Sequence, residues 1–391
     1  MAHRVAVVGQ SDYSEPGLSS SVRRAMGLSG FCPESARGKR VLLKPNLLGA
    51  YPPDMGVTTP PAFLEAVARI FVEAGADVVV GDSPNWIHPI EQVWEVTGIR
   101  AAARAAGARE IRIEAGGSIE SGGVFISKAV READIVVNLP KFKTHGLTVL
   151  TLAVKNLFGC VCGMQKTLHH RDSKDRYEFA DVLVRVAEAV KPNLTIIDGI
   201  VAMQGDGPSG GDLVEMGVIL AGTDVYSLDA ACCGLVSLPP LELDTLAVAK
   251  RMGLYDDSNE IEFAGEEPEA FVRNDFVLPA TYTRGTRDWW ITKLVLNRIW
   301  RAAWARPVID PGRCRRCLYC VEGCPVEAIP RPPEGGVPSI DYKKCIQCFC
   351  CHELCPHKAI DLRKSLAVRL VDRFMRPKKR AVSRGEKWPG Q

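Results

Sequence analysis

Cys314-x-x-Cys317-x-x-Cys320-x-x-x-Cys324-Pro325 recurs as Cys345-x-x-Cys348-x-x-Cys351-x-x-x-Cys355-Pro356, with every equivalent pair 31 residues apart. The offset continues through Ala328/Ala359 and Ile329/Ile360, so the segment is an internal duplication. Nine of the fourteen cysteines crowd between Cys314 and Cys355; Cys32, Cys160, Cys162, Cys232 and Cys233 are scattered. The first residues, Met1 to Gln10, carry no basic, apolar and small-residue sequence of an export signal. Crowded cysteines in such a chain point to metal binding rather than a disulfide framework. Zinc sites are usually two Cys-x-x-Cys pairs or knuckles with histidine, which this doubled three-plus-one run is not.

The spacing is that of the bacterial ferredoxin run, in which the fourth cysteine ligates the other cluster. From about Asp310 to Leu362 the chain resembles the two-cluster bacterial ferredoxin domain. That resemblance implies two [4Fe–4S] clusters, one held by Cys314, Cys317, Cys320 and Cys355, the other by Cys345, Cys348, Cys351 and Cys324. Soft thiolates select iron–sulfur clusters, and a ligand borrowed from the other half ties the halves together. Proline after each fourth cysteine turns the chain away without adding a donor. Cys350 would break the offset as a ligand, so it is expected to pack beside or shield a cluster.

Outward from this segment, the 391 residues are 46% hydrophobic and 24% charged, ordinary for globular domains. No window offers the roughly 18 apolar residues of a spanning helix. The net charge of +3 hides an asymmetry: residues 1–283 carry 26 Lys and Arg against 36 Asp and Glu, and residues 284–391 carry 23 against 10. The two parts are expected to meet different partners. In the first 250 residues, apolar runs alternate with helical patterns. Strands are expected at 4–8, 40–44, 77–81, 109–113, 134–138, 194–198 and 217–221. Helices are expected at 61–74, 151–158, 179–190, 228–235 and 245–252. The alternation implies a layered α/β domain with a mostly parallel sheet, over residues 1–283. Residues 284–309 read as a Trp-rich amphipathic linker helix, with Trp289, Trp290, Trp300 and Trp304 around a Lys293, Asn297, Arg301 stripe. Trp289 to Arg306 either packs on the α/β body or meets a membrane surface or client protein. Residues 363–391 read as a basic, solvated tail.

Several expected strands end in polar residues, where open α/β sheets bind ligands. Lys44-Pro45-Asn46, Asp82-Ser83-Pro84, Asn138 to Gly146, and Asp198-Gly199 stand at such ends, and Gln204 to Gly211 lies just beyond. Lys44, Lys141, Lys143 and Lys155 would make a cationic cleft for a carboxylate or phosphate. Lys141, Lys143 and His145 are the candidates for substrate binding and proton delivery. Lys44, Asn46, Asp82, Asn138, Lys155, Asn156 and Asp206 are candidates for binding a substrate or cofactor. His145 and His169 are acid–base candidates. No phosphate-binding glycine motif follows a strand, so nucleotide binding has no motif support. The close pairs Cys160/Cys162 and Cys232/Cys233 read as small buried side chains.

As an ordered set, Leu43-Lys44-Pro45-Asn46, Gly81-Asp82-Ser83-Pro84, Asn138-Leu139-Pro140-Lys141-x-Lys143-Thr144-His145, Lys155-Asn156-x-x-Gly159 and Gly205-Asp206-Gly207-Pro208 resemble the family called domain of unknown function 362. The resemblance covers about residues 40 to 250 and implies an iron–sulfur cluster-binding protein with no settled reaction. The Lys143-Thr144-His145-Gly146 stretch is also similar in placement to loops of the lactate racemase family, although the residues for that family's nickel cofactor cannot be matched.

The expected function is a cytoplasmic redox protein passing electrons between a soluble donor or acceptor protein and a small anion. The alternative is a non-catalytic electron carrier or maturation factor that docks a client enzyme. Nucleic acid is not an expected partner, because the basic third lacks an aromatic–basic platform beyond the tryptophan stretch.

Overall fold

The computed structural model describes residues 3–282 and 305–364. Its strands are β1 (His3–Gly9), β2 (Arg40–Pro45), β3 (Asp77–Val80), β4 (Arg109–Glu110), β5 (Ser118–Ser121), β6 (Val124–Ser127), β7 (Ile135–Leu139), β8 (Lys141–His145), β9 (Val149–Thr151), β10 (Leu194–Gln204), β11 (Asp212–Gly222), β12 (Ile261–Gly265), β13 (Arg306–Ile309) and β14 (Ile360–Arg363). Ten of them form one sheet, ordered β12-β1-β11-β10-β7-β2-β3-β4, with β8 and β9 added beside β10. Most pairings are parallel; β11 runs antiparallel to β1 and β10, and β9 to β8.

Side chains of successive strand residues point to opposite faces, and both faces here are covered. Val5, Val7, Leu42, Val136, Val218 and Leu220 enter one core, shared with the helices Arg176–Val190 and Val225–Leu235. Ala6, Val8, Val41, Leu43, Val137 and Ile219 enter the other, with the helices Gly17–Leu28 and Pro61–Glu73. Burial on both sides is why these strands read as continuous apolar runs. Helix starts follow local chemistry: Pro61 opens one helix, and Asp175 accepts from the N–H groups of Tyr177 and Glu178 at the start of another.

Some expectations change. The fourth strand stops at Glu110, where its ladder with β3 ends. The strands expected at 194–198 and 217–221 each extend to 11 residues, because they pair with each other beyond the point where β7 leaves β10. The largest change is β8, expected as a polar loop. After Pro140 the chain continues along β10, pairing Lys141 with Asp198 and Lys143 with Met203. Its charged residues sit on a strand because their partners are buried with them.

In the small C-terminal unit, β13 pairs antiparallel with β14, so 306–309 is strand rather than the end of a linker helix. The expected Trp289–Arg306 helix otherwise lies outside the described residues, as does the tail beyond Lys364. Here the duplication is visible in the backbone. Arg316, Leu318 and Glu327 have φ of 57°, 64° and 51°; Gln347, Phe349 and Lys358, 31 residues later, have 58°, 63° and 48°. Cross-links repeat too: Asp310 N donates to Ala359 O (2.8 Å) and Asp341 N to Ala328 O (2.7 Å). Each half thus completes the other.

Candidate functional site

A cleft of about 730 Å³, counting its open mouth, lies at the carboxyl ends of β2 and β3 and against β8, where such sheets bind ligands. Its walls come from both parts of the chain. The α/β part supplies Lys44, Asn46, Asp82, Lys143, His145, Lys155, Asn156, Lys166 and His170; the C-terminal unit supplies Gly323, Cys350 and Glu353.

The floor is a buried polar network. Lys44 Nζ stands 2.9 Å from Asp82 Oδ1 and donates to Pro45 O at 2.7 Å. Asp82 in turn accepts from the N–H groups of Leu47 (2.8 Å) and Ser83 (2.9 Å). Asn156 accepts from Asn46 (2.8 Å) and donates to Asn138 Oδ1 (2.8 Å). Gly159 passes so close that a Cβ there would lie 1.9 Å from Asp82 Oδ1 and 2.5 Å from Lys44 Nζ.

Above this floor the cations outnumber the anions. Lys143 donates to Val57 O at 2.5 Å, and burial, reinforced by Lys155, pulls its pKa down to about 7. Lys166 donates to the Ser83 carbonyl, and burial lowers it to about 8. The Lys155 ammonium lies over Phe158 at 5.0 Å and has no hydrogen bond or ion pair among the described residues. Burial lowers its pKa, opposed by Glu353.

His145 Nδ1 accepts from the N–H groups of Leu147 (3.0 Å) and Thr148 (3.3 Å), and burial lowers its pKa. The neutral ring therefore carries its proton on Nε2, 3.1 Å from Glu353 Oε1. Burial would push the Glu353 carboxyl up, but the neighbouring His145 and Lys155 outweigh it and hold it below the usual carboxylate range. His170 stacks on Phe179 at 4.2 Å, and burial drops its pKa to about 3. Three buried polar atoms of the cleft have no hydrogen-bond partner among the described residues: Asn46 Oδ1, Thr151 Oγ1 and His170 Nδ1. Such atoms call for a bound partner.

Of the sequence candidates, Lys44, Asn46, Asp82, Lys143, His145, Lys155 and Asn156 line the cleft, and Asn138 lies behind Asn156. Lys141 and Asp206 do not. Lys141 Nζ is fully buried 2.6 Å from Asp198 Oδ2 and donates to Tyr13 OH at 2.9 Å. Asp206 belongs to the seam between the two parts: it accepts from Ala280 N at 2.7 Å, and its carbonyl faces His352 Nε2 at 2.8 Å. The same seam joins Tyr51 OH to Glu353 O (2.7 Å), Ser209 Oγ to Glu353 O (3.0 Å) and Lys358 Nζ to Gly211 O (3.0 Å). The glycine-rich loop thus clamps the C-terminal unit, and only its Pro208 reaches the cleft. Lys166, His170 and Glu353 were missed. His170 rather than His169 lines the cleft, and Glu353 was hidden inside the cysteine run.

A second, smaller cavity, about 330 Å³, is walled by Cys314, Cys317, Cys320 and Cys355, three from the first run and one from the second. Thiol donors from both halves around one space fit a cluster. Among the described residues no three His, Cys, Asp or Glu side chains are grouped closely enough to hold a single metal ion. On the other side, Cys348, Cys345, Cys320 and Cys324 stand near enough to Cys351 to add to burial in raising its thiol pKa. Cys350 is buried against Cys348 and forms part of the cleft wall.

The family model for a domain of unknown function, DUF362, matches residues 41–234. A thylakoid-associated protein of Synechocystis is 35% identical over 285 residues, covering 71% of this chain and 88% of its own. The chain belongs to the DUF362 family. The model of a 4Fe-4S dicluster domain matches residues 306–356, which makes this DUF362 member an iron–sulfur protein of the 4Fe–4S type. Two solved structures are similar at a greater distance. The lactate racemase apoprotein from Thermoanaerobacterium thermosaccharolyticum is 14% identical with a TM-score of 0.40, over 61% of this chain and 58% of that one. A protein from Thermotoga maritima is 12% identical with a TM-score of 0.33, over 50% and 52%. The chain spans little more than half of either.

Among the described residues no helix is long and apolar enough to cross a membrane.

Proposed function

We propose that this DUF362 protein holds two [4Fe–4S] clusters and exchanges electrons with a small anion bound in the lysine-lined cleft. Cys314, Cys317, Cys320 and Cys355 would hold one cluster; Cys345, Cys348, Cys351 and Cys324 the other. When bound, such a cluster stores an electron at a potential set by its surroundings. The observation that carries this reading is the composition of the cleft wall: Gly323 and Cys350, each next in sequence to a ligand of the second set, face the same space as Lys143 and Lys155.

The chain's own side chains do the rest. Lys155, with no ion pair among the described residues, attracts the ligand's negative charge, and Lys143 and Lys166 add to it. Asn46 Oδ1 accepts a hydrogen bond from the ligand, which orients it. Lys143, with its pKa near 7, holds a proton that can follow an electron at neutral pH. The thylakoid association of the Synechocystis relative and the Trp-rich basic stretch 289–306 support a cytoplasmic protein that rests on a membrane surface.

The test is to reduce the iron-loaded protein with dithionite under nitrogen, remove the reductant, and add 2-oxo acids, hydroxy acids or phosphorylated compounds while following cluster absorbance. One anion class should reoxidise the clusters, and Lys155→Ala should slow this at least about tenfold with the iron content unchanged. If no anion outpaces buffer, or Lys155→Ala keeps the full rate, the cleft is not the site of electron exchange.

A further inference from the structure

We infer that a small acidic electron-carrier protein docks over Cys317, on the face of the C-terminal unit that carries Arg315 and Arg316. This rests on the electron-transfer reading above and adds where electrons enter or leave. Of the eight cysteines in the two runs, Cys317 is the one exposed to solvent. It walls the smaller cavity with Cys314, Cys320 and Cys355, and Arg315 and the exposed His357 are at the same cavity. A ligand at the surface marks the edge at which a partner's redox centre comes nearest.

Most basic side chains around it have internal partners, but two do not among the described residues. Arg313 is held by Asp310 (2.8 Å) and by Asp361, Arg331 by Glu322 (3.3 Å), and Arg363 by Asp361 (3.0 Å). Lys358 and Lys364 each donate to a backbone carbonyl. Arg315 and Arg316 are exposed and make no ion pair or side-chain hydrogen bond among the described residues.

The duplication supplies an internal control. At the positions equivalent to Arg315-Arg316 the second run has Ile346-Gln347, both half-buried, on the half that faces the cleft. The backbone of the two loops is the same to within a few degrees of φ at Arg316 and Gln347. Folding round the thiols therefore does not demand arginine there, and a basic pair beside the exposed ligand fits an acidic partner. In the encounter one electron moves between the carrier and the cluster; one centre is oxidised as the other is reduced, and no bond or proton is exchanged.

The test uses the full iron-loaded protein and an acidic plant-type [2Fe–2S] ferredoxin as probe. Binding of the oxidised partners is titrated calorimetrically, and reduction by the reduced probe is followed by stopped flow. Both should weaken steeply from about 20 to 300 mM salt. Arg315→Glu/Arg316→Glu should lose about tenfold in Kd and in second-order rate at low salt, while reduction by dithionite stays unchanged. Salt-independent binding, an unaltered double variant, or a basic carrier that binds as well as the acidic one would overturn the docking surface. A protein that binds the probe as expected but never passes electrons to an anion leaves this surface standing and breaks the cleft reading instead.

Discussion

The two halves of the cysteine repeat share a backbone and differ in what surrounds them. In the first half Cys317 is exposed, Glu322 lies at the surface 3.3 Å from Arg331, and Tyr319 meets the edge of His88 at 5.1 Å. In the second half Cys348 is half-buried, Glu353 is buried 3.1 Å from His145, and Cys350, equivalent to Tyr319, lines the cleft. One glutamate position thus yields a solvated surface pair in one copy and a carboxylate inside a lysine-lined site in the other. The repeat supplies two cysteine loops; packing against the α/β part turns Cys350 and Glu353 of the second into the cleft and leaves Cys317 of the first exposed.

This asymmetry should show most strongly when one ligand is removed from each half. The iron-loaded protein should contain about eight irons. Cys351→Ser and Cys317→Ser should each lose about four, measured by iron and sulfide analysis, yet differ in consequence. Cys351→Ser should abolish reoxidation by the anion in dithionite-reduced protein, and Cys317→Ser should spare it. Equal losses of anion reactivity would make the two halves equivalent.

Backbone substitutions probe the two sides next. Gly159→Ala puts a methyl into the Lys44–Asp82 pair and should destabilise by about 1–3 kcal/mol in denaturant unfolding, with anion binding impaired. Gly312→Ala in the first half, whose nearest neighbour would be Asp310 Oδ1 at 3.3 Å, should cost less. A reversed order would mean that the cleft floor yields more readily than its packing implies.

Acidity separates the cleft from the open face by a smaller margin. Anion affinity should fall as pH rises through about 7, where Lys143 loses its proton, and again through about 8, where Lys166 does. Lys143→Met should remove the first step in Kd measured from pH 6 to 9. For the unliganded fold the sign is opposite. The buried Lys143 binds a proton less readily than in the unfolded chain, so this contribution to stability improves as pH rises from about 7 towards 10.4. A flat affinity profile would remove Lys143 from the binding site.

The smallest contrast lies between the paired glutamates. Glu353 supports the ammonium forms of Lys143 and Lys155, so Glu353→Gln should move the affinity fall to lower pH. Glu322→Gln should leave that profile unchanged and alter stability by no more than about 1 kcal/mol. Identical shifts in both variants would show that Glu353 has no special bearing on the lysines.

Most parallel strands were legible because both their faces are buried, which leaves a plain Val/Ile/Leu signature. The strand Lys141–His145 was not, since charged residues in alternation look like solvent-facing loop; the period of two in Lys141, Phe142, Lys143, Thr144, His145 was the available signal. Lys44, Asp82 and Lys155 were found because they end or follow readable elements. Lys141 was misplaced because its ion pair with Asp198 lies mid-strand, 57 residues away, and nothing local announces a buried partner.

Cysteine spacing needed no fold to be read: thiolates at fixed short intervals, repeated with a constant offset, have few other uses, and their chemistry is carried by the residues themselves. The seam, the orphaned acceptors and the inward turn of Glu353 required the folded chain. They depend on distances between segments hundreds of residues apart in the chain, such as Tyr51 and Glu353. Local pattern specifies a side chain's chemistry, but burial and long-range pairing decide whether that chemistry faces water, a partner or a ligand.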